Sequence, residues 1–382
     1  MAHTTTLFSQ MLSLIPRHVF QKLEARHKTG RSSRKFGFKE QFTVMAFIQL
    51  AARRSMRDGL RALSTVGNRL YHLGLKPVAR STFADANNSR PVDFFKDLCA
   101  EMYALCAPKA PKHKFLFKSK LYSMDATTVS LCLSLFPWAS FRKNKAGIKI
   151  NTVLDHDGYI PAFADISKAK THESRMAKSL SLPKGSIVTF DKGYIAYSWF
   201  QLLTVKGIFF VTRLKDNAVF KLLERRPVNR KTGVTSDHII EVTHSRGKTL
   251  RLRRIGYRDA ETGKRYEFLT NHFCLSAKTI ADIYKDRWQI EIFFREIKQN
   301  LRIKSFVGTS ENAVLIQIYT ALTTYLLLAY QKFLSRIGLS VQQLFQIITV
   351  NLLGTHSLEE LLNPRRRKTE NDCQLSLLSL AA

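Results

Sequence analysis

Cysteine is scarce and scattered. The five residues Cys99, Cys106, Cys132, Cys274 and Cys373 form no CxxC pair, and an odd, dispersed set makes neither a disulfide framework nor an evident zinc site. They read as buried or incidental thiols of a reducing compartment. Acid is the second shortage: 29 Asp and Glu stand against 61 Lys and Arg, a net charge of +32. The excess runs along the whole chain, which fits a long polyanion held over a broad surface, most simply nucleic acid. The start, Met1 to Pro16, lacks a basic cluster followed by an apolar run, so no secretory leader is expected. An amphipathic membrane anchor is missing too. One uncharged run of twenty residues, Asn312 to Gln331, has the length of a membrane span. It carries Gln317, Thr320, Thr323, Thr324 and Gln331 and has no second run to join, so a buried core helix is preferred over a span. No internal repeat is visible. The expected setting, if the source is bacterial, is the cytoplasm, associated with the nucleoid and without a membrane partner.

The chain is long enough, at 382 residues and 45% hydrophobic, for about two to three domains with real cores. Residues 1–76 carry helical apolar spacing broken by Pro16, with Ser55 as a plausible helix cap, and read as a helical N-terminal domain, expected to bind DNA ends. Residues 77–118 form a helical linker region. Within it, Ser81 or Thr82 is expected to cap a short helix whose start carries Arg80; a helix start and an arginine suit a phosphate, or the stretch is an ordinary connection. From about 119 the pattern turns strand-like and alternates with helices to about 335, an α/β core. It includes two strands joined through Asp157-Gly158 and a helix over 171–182. A β-rich insertion is expected at about 215–270, with a hairpin turning at 258–263. Residues 336–382 form a helical C-terminal region with a basic tail at Arg365 to Lys368.

The stretch Ile283 to Gln299 concentrates the chemistry. On a continuous helix at about 100° per residue, Arg287 lies about −60°, Glu291 about −20° and Lys298 about −40° from Tyr284. Trp288 lies about 40° away, and the neighbouring acids Asp282, Asp286 and Glu296 lie about 120° or more away. Glu291 is therefore one carboxylate in a cationic and aromatic row. That suits a metal-binding acid beside a phosphate backbone, or equally the charged outer face of an amphipathic helix. Its candidate partners are Asp125, in a strand where an unpaired acid is costly, and Asp191, at a strand end beside Gly193. Two strand aspartates and a helix glutamate can converge on a pair of Mg²⁺ ions for in-line phosphoryl displacement. Taken singly, Asp125 could be a capped strand end and Asp191 a turn. Asp155, Asp157, Asp165 and Glu173 compete as acids, and His172 reads as a surface or capping residue before a catalytic neighbour.

The spacing Tyr284, two residues, Arg287, three residues, Glu291, six residues, Lys298 matches a known signature. With SMDATTVSL and FDKGYI ahead of it, the chain resembles the DDE transposases of the bacterial insertion sequence 4 family, over about 120–330. The resemblance implies a ribonuclease-H-like core with a β-stranded insertion. It implies a metal triad of Asp125, Asp191 and Glu291 holding Mg²⁺, two ions expected, with Mn²⁺ able to substitute. Tyr284, Arg287 and Lys298 would contact transposon-end phosphates, and Trp288 would stack on an unpaired base or lie in the core. The implied reaction is cut-and-paste transposition on double-stranded DNA, acting on terminal inverted repeats and target DNA, with a homodimer holding paired ends and a hairpinned end as intermediate. The alternatives are a catalytically inactive DNA-binding derivative and a related metal-dependent nuclease.

Overall fold

The computed structural model describes residues 5–28, 35–65, 67–169, 180–244, 247–301, 303 and 305–362. The expected helix over 171–182 with His172, and the basic tail at 365–368, lie largely or wholly outside them. The chain forms two compact bodies, residues 111–296 and residues 1–110 with 297–382.

The first body is built on a ten-stranded sheet. Strand β1 (Leu121–Leu131) pairs antiparallel with β3 (Lys145–Asp155), which takes the short β2 (Ser140–Arg142) at one end and forms a hairpin with β4 (Ile160–Lys168). The hairpin turns through Asp157-Gly158 as expected, with Gly158 at φ 70°. On its other side β1 pairs parallel with β5 (Ile187–Phe190), and β5 pairs parallel with β6 (Phe209–Arg213). The connection from β5 to β6 runs through helix α7 (Tyr197–Val205). An antiparallel meander followed by parallel strands is the ribonuclease-H-like arrangement anticipated from the sequence.

The central strands are buried on both faces, so their side chains alternate between two cores. Tyr122, Met124, Val188, Phe190 and Phe210 pack on one face with Phe200 and Leu203 of α7. Leu121, Ile187 and Val211 pack on the other with Ile280 and Ile283 of α8 (Ala277–Asp286). Ser123, Asp125 and Thr189 share the odd-numbered parity of this second face.

The β-rich insertion is continuous with the core sheet. Strands β7 (Lys221–Arg225), β8 (Val234–His244), β9 (Lys248–Arg258) and β10 (Arg265–Thr270) run as an antiparallel series, and β10 joins β6. Arg253, 2% exposed, is held bidentate by Asp237 at 2.9 and 2.7 Å and donates to the Leu275 carbonyl at 2.6 Å. This ties the insertion to the loop that launches α8, whose cap Ser276 accepts from Thr279 N.

The continuous helix expected through Ile283–Gln299 is interrupted. α8 ends at Asp286 and α9 begins at Gln289, running to Asn300. Neither Pro nor Gly causes the break. Arg287 N reaches the Tyr284 carbonyl, Trp288 N that of Lys285 and Ile290 N that of Arg287, the tighter three-residue pattern. The 100° phase therefore does not carry across Arg287–Trp288, and helical spacing alone does not set where Lys298 points.

The second body is helical: α1 (Leu7–Ser13), α2 (Arg17–His27), α3 (Phe38–Leu50), α4 (Met56–Ser64), α5 (Arg80–Ser89), α6 (Val92–Cys106), α10 (Glu311–Ser335), α11 (Val341–Asn351) and α12 (Leu358–Leu362). The apolar run forms α10. It is long and apolar enough to cross a membrane, but 89% of its most apolar window is buried, against α6, α3, α5 and α11. Ser55 caps α4 as anticipated. Ser81 and Thr82 do not cap α5: its cap is Ala79, without a side-chain bond, and both hydroxyl residues lie inside the first turn.

Candidate active site

Register brings the two aspartates together. In the parallel pair β1–β5, Met124 stands opposite Phe190. Asp125 and Asp191 each follow one residue later, where the parallel pairing ends: Asp191 just beyond the carboxyl end of β5, Asp125 within the longer β1. Asp125 is 23% exposed, and its Oδ1 accepts from the Ala126 amide at 2.8 Å. Asp191 leads a short turn, Lys192–Tyr194, and its Oδ1 accepts from the Tyr284 hydroxyl at 3.1 Å.

The interrupted helix supplies the third acid and the cation. Arg287, at the break, donates from NH1 to Asp125 Oδ2 at 3.3 Å and from NH2 to Glu291 Oε1 at 3.0 Å. One guanidinium thus spans two carboxylates from distant parts of the chain. Glu291 lies in the first turn of α9, where a negative charge is favoured by the helix dipole. Arg287 also sits 5.5 Å from the Tyr284 ring, which packs on Phe268 at 5.1 Å. The buried Arg287 Nε has no partner among the described residues.

The electrostatics mark these groups out. Burial pushes the Asp125 carboxyl up to about 6; the Ala126 amide and Arg287 pull the other way, while Glu291 and Asp191 add to the rise. Burial also pushes the Tyr284 hydroxyl up to about 12, so it stays a donor to Asp191. For Arg287, burial acts downwards but Tyr284, Asp125 and Glu291 outweigh it, and the guanidinium stays charged.

A brace beneath the site was not visible in the sequence. Asp286, 4% exposed, accepts from His156 Nδ1 at 2.8 Å, Lys114 Nζ at 2.6 Å and the Tyr159 hydroxyl at 3.2 Å. His156 Nε2 meets Ser123 Oγ at 2.5 Å, two residues before Asp125 on the same strand face. Serine, histidine and aspartate stand here in the order of a hydrolase triad. Ser123 and His156 are wholly buried, so no substrate reaches them, and the group serves to fix the end of α8 against β1 and β3. No spacing rule could have found it, since its members lie 33 and 130 positions apart. Two of the competing acids have structural duties, while Glu173 lies outside the described residues. Asp155 is paired with Lys120 at 2.7 Å, and Asp157 with Lys112 at 3.0 Å and Lys120 at 2.8 Å. Despite the opposing effect of burial, those lysines and the His113 amide hold Asp157 down to about 2.

Among the other expected residues, Trp288 is 57% exposed and does not belong to the core. Lys298 lies on α9 and is partly buried. Arg80 and Thr82 are exposed on α5 in the helical body.

The transposase DDE domain matches residues 117–327, more than half of the chain. The chain belongs to the DDE transposases. Residues 3–76 match a domain of unknown function (DUF4372). A sequence named as a transposase in Sinorhizobium fredii (strain NBRC 101917 / NGR234) is 32% identical over 292 residues, 74% of this chain and 80% of the relative. An insertion-sequence transposase of Geobacillus stearothermophilus is 29% identical over 331 residues, 85% of each chain. One of Synechocystis (strain ATCC 27184 / PCC 6803 / Kazusa) is 24% identical over 257 residues, 65% of this chain and 70% of the relative. Among solved structures, a piggyBac transposase synaptic complex with hairpin DNA aligns over 99% of this chain and 83% of that one, at 13% identity and a TM-score of 0.42, too slight a likeness to build on. The transposase is accordingly an enzyme that cleaves and joins DNA.

Membership of this family implies dependence on a divalent metal. The donor chemistry fits: three carboxylates are the hard oxygen ligands that such ions prefer. Among the described residues no three ligating side chains form a closed ion-binding cluster as they stand. Arg287 is instead the positive charge shared by two of the three acids.

Proposed function

We propose that the transposase carries out cut-and-paste movement of an insertion sequence, of insertion sequence 4 type, with Asp125, Asp191 and Glu291 as the catalytic acids. The observation that supports this reading most is the placement of Asp125 and Asp191 directly after the last paired residues of the parallel strands β1 and β5, with Glu291 joined to Asp125 through Arg287. In this reading the three acids hold divalent ions, two Mg²⁺ with Mn²⁺ as substitute. Bound there, such ions supply Lewis-acid activation of the attacking oxygen and charge compensation at the departing one.

The chain's own residues do the rest. Arg287 exchanges its carboxylate partners for non-bridging oxygens of the scissile phosphate, with Nε as a further donor. Tyr284 orients Asp191 through its hydroxyl. Lys298 contacts the strand backbone two turns further along α9. Trp288 borders a hollow of about 370 Å³ that Arg213, Tyr257, Tyr266, Tyr284 and Arg287 also line. Its aromatic rings suit an unpaired base. In the first reaction, water attacks phosphorus at the transposon end, the P–O3′ bond breaks, and the 3′ oxygen leaves as a hydroxyl. In the second, that hydroxyl attacks a target phosphodiester and displaces its 3′ oxygen. Two ends must be held together, so the working unit is a homodimer, acting in the bacterial cytoplasm on nucleoid DNA. Arg80 and Thr82 add backbone contacts from α5.

The test uses duplex DNA carrying the inverted repeats that flank the gene. Wild-type protein with Mg²⁺ should cut at those repeats and insert precut ends into a second duplex, and EDTA should stop both. Cutting without insertion of precut ends would indicate a nuclease. Binding without either would indicate an inactive derivative.

A further inference from the structure

The helical body holds a second site. A hollow of about 560 Å³ opens among Ser55 and Arg57 of α4 and Arg80, Ser81, Asn87 and Asn88 of α5, with the loop 307–309 that leads into α10 as its third side. Two helix starts, and the loop leading to a third, therefore border one space. α4 is capped by Ser55 and α10 by Ser310, whose hydroxyl also binds Asn88 Oδ1 at 2.6 Å. α5 has no side-chain cap, so its first backbone N–H groups are not satisfied from within.

Two features make an anion the natural occupant. The first is misplaced positive charge. Arg57 and Arg80 are the second and first residues of their helices, where the macrodipole disfavours a cation. Among the described residues neither makes an ion pair or a side-chain hydrogen bond. Asp58, the acid in the first turn of α4, is paired with Arg53 at 3.6 Å. The second is a buried donor without an acceptor. Arg90 NH1 donates to Gln41 Oε1 at 3.0 Å, and Gln41 Nε2 donates to Asn87 Oδ1 at 2.8 Å. This chain fixes which way the Asn87 amide faces. Asn87 is 1% exposed, lines the hollow, and its Nδ2 has no partner among the described residues.

We propose that this hollow seats a phosphate of the DNA backbone, with Arg57 and Arg80 as ionic contacts and Asn87 Nδ2 and the start of α5 as hydrogen-bond donors. The contact is independent of sequence and serves to position the duplex. It gives the N-terminal domain of unknown function, which supplies Ser55 and Arg57, a part in holding DNA. The proposal rests on the reading that this transposase binds DNA, not on which acids catalyse.

The experiment is fluorescence anisotropy with an arbitrary-sequence duplex, in EDTA, between about 50 and 200 mM salt. Arg57→Ala/Arg80→Ala should lower the log–log salt slope by about 0.9, the share of the one phosphate that the two arginines neutralise together. Ser81→Asp, which places a carboxylate at the favoured start of α5, should weaken DNA binding with no loss of melting temperature. Lys22→Ala/Arg26→Ala removes two cations already paired with Glu101 and Asp97 and should leave the slope unchanged. A wild-type slope in Arg57→Ala/Arg80→Ala overturns the proposal. So does protection of the fold by inorganic phosphate that these variants abolish while DNA binding is untouched, since the hollow would then serve a small anion. Wild-type protein that binds no duplex overturns the DNA reading itself.

Discussion

Replacing Asp125 by Asn in the metal-free transposase is expected to stabilise the fold while removing its chemistry. Burial lifts the Asp125 carboxyl from 3.8 to about 6. A group whose folded value lies above its unfolded one holds its proton more tightly when folded, so its charged form costs stability at higher pH. A rise of about two units corresponds to about 3 kcal/mol. The cost is full above about pH 6, shrinks as pH falls through that value, and is gone below about 3.8. Asn abolishes it but offers Arg287 a neutral acceptor in place of a charged one across 3.3 Å, a loss of about 1 kcal/mol. The 23% exposure of the side chain reduces the electrostatic gain further. The net expectation is a gain of about 1–2 kcal/mol at pH 8, or about 2–8 °C in melting temperature for a body of this size. Thermal melts in EDTA from pH 8 to pH 4 measure it. A variant no more stable than wild type at pH 8, or an advantage that does not fade towards about pH 4, would refute the account of Asp125 as a charge held against its solvation.

Three further outcomes are expected. His156→Leu leaves Asp286 without its histidine and Ser123 without a partner; breaking a buried pair this way costs about 3–5 kcal/mol in urea titration, and a loss under about 1 kcal/mol would show that the brace is slack. Asp237→Ala strands the buried Arg253 guanidinium at a similar cost of about 3–5 kcal/mol, whereas Asp237→Leu with Arg253→Met should recover most of it. Mg²⁺ at about one hundred times its dissociation constant should stabilise wild type by about 2.7 kcal/mol, and Asp191→Asn should lose most of that gain in the same melting assay.

Much of this was legible in the sequence because it is periodic or local. The β-branched and apolar residues of Leu121–Leu131 and Ile187–Phe190 mark strands. The Asp157-Gly158 turn fixes a hairpin, and Ser55 and Ser276 announce helix starts. The acids stood out because Asp125 interrupts an apolar strand and Asp191 ends one. What escaped was set by contacts between distant residues. The break between α8 and α9 has no Pro or Gly to signal it; it coincides with Asp286, whose carboxylate is drawn inward by His156, Lys114 and Tyr159. Ala79 rather than Ser81 caps α5, so the hydroxyl residues of that stretch signalled a nearby helix start but not its position. Trp288, open to stacking or the core in the sequence, stands exposed at the same break.

The central claim is that Glu291 completes a metal-dependent catalytic centre with Asp125 and Asp191. A single-turnover strand-transfer assay of Glu291→Gln, with precut transposon ends and Mg²⁺, tests it most directly, run beside an anisotropy measurement of DNA binding on the same preparation. The account predicts DNA affinity within about threefold of wild type and a rate lower by at least about a thousandfold, the scale of losing a group that acts in the transition state. Strand transfer by Glu291→Gln at the wild-type rate would contradict it.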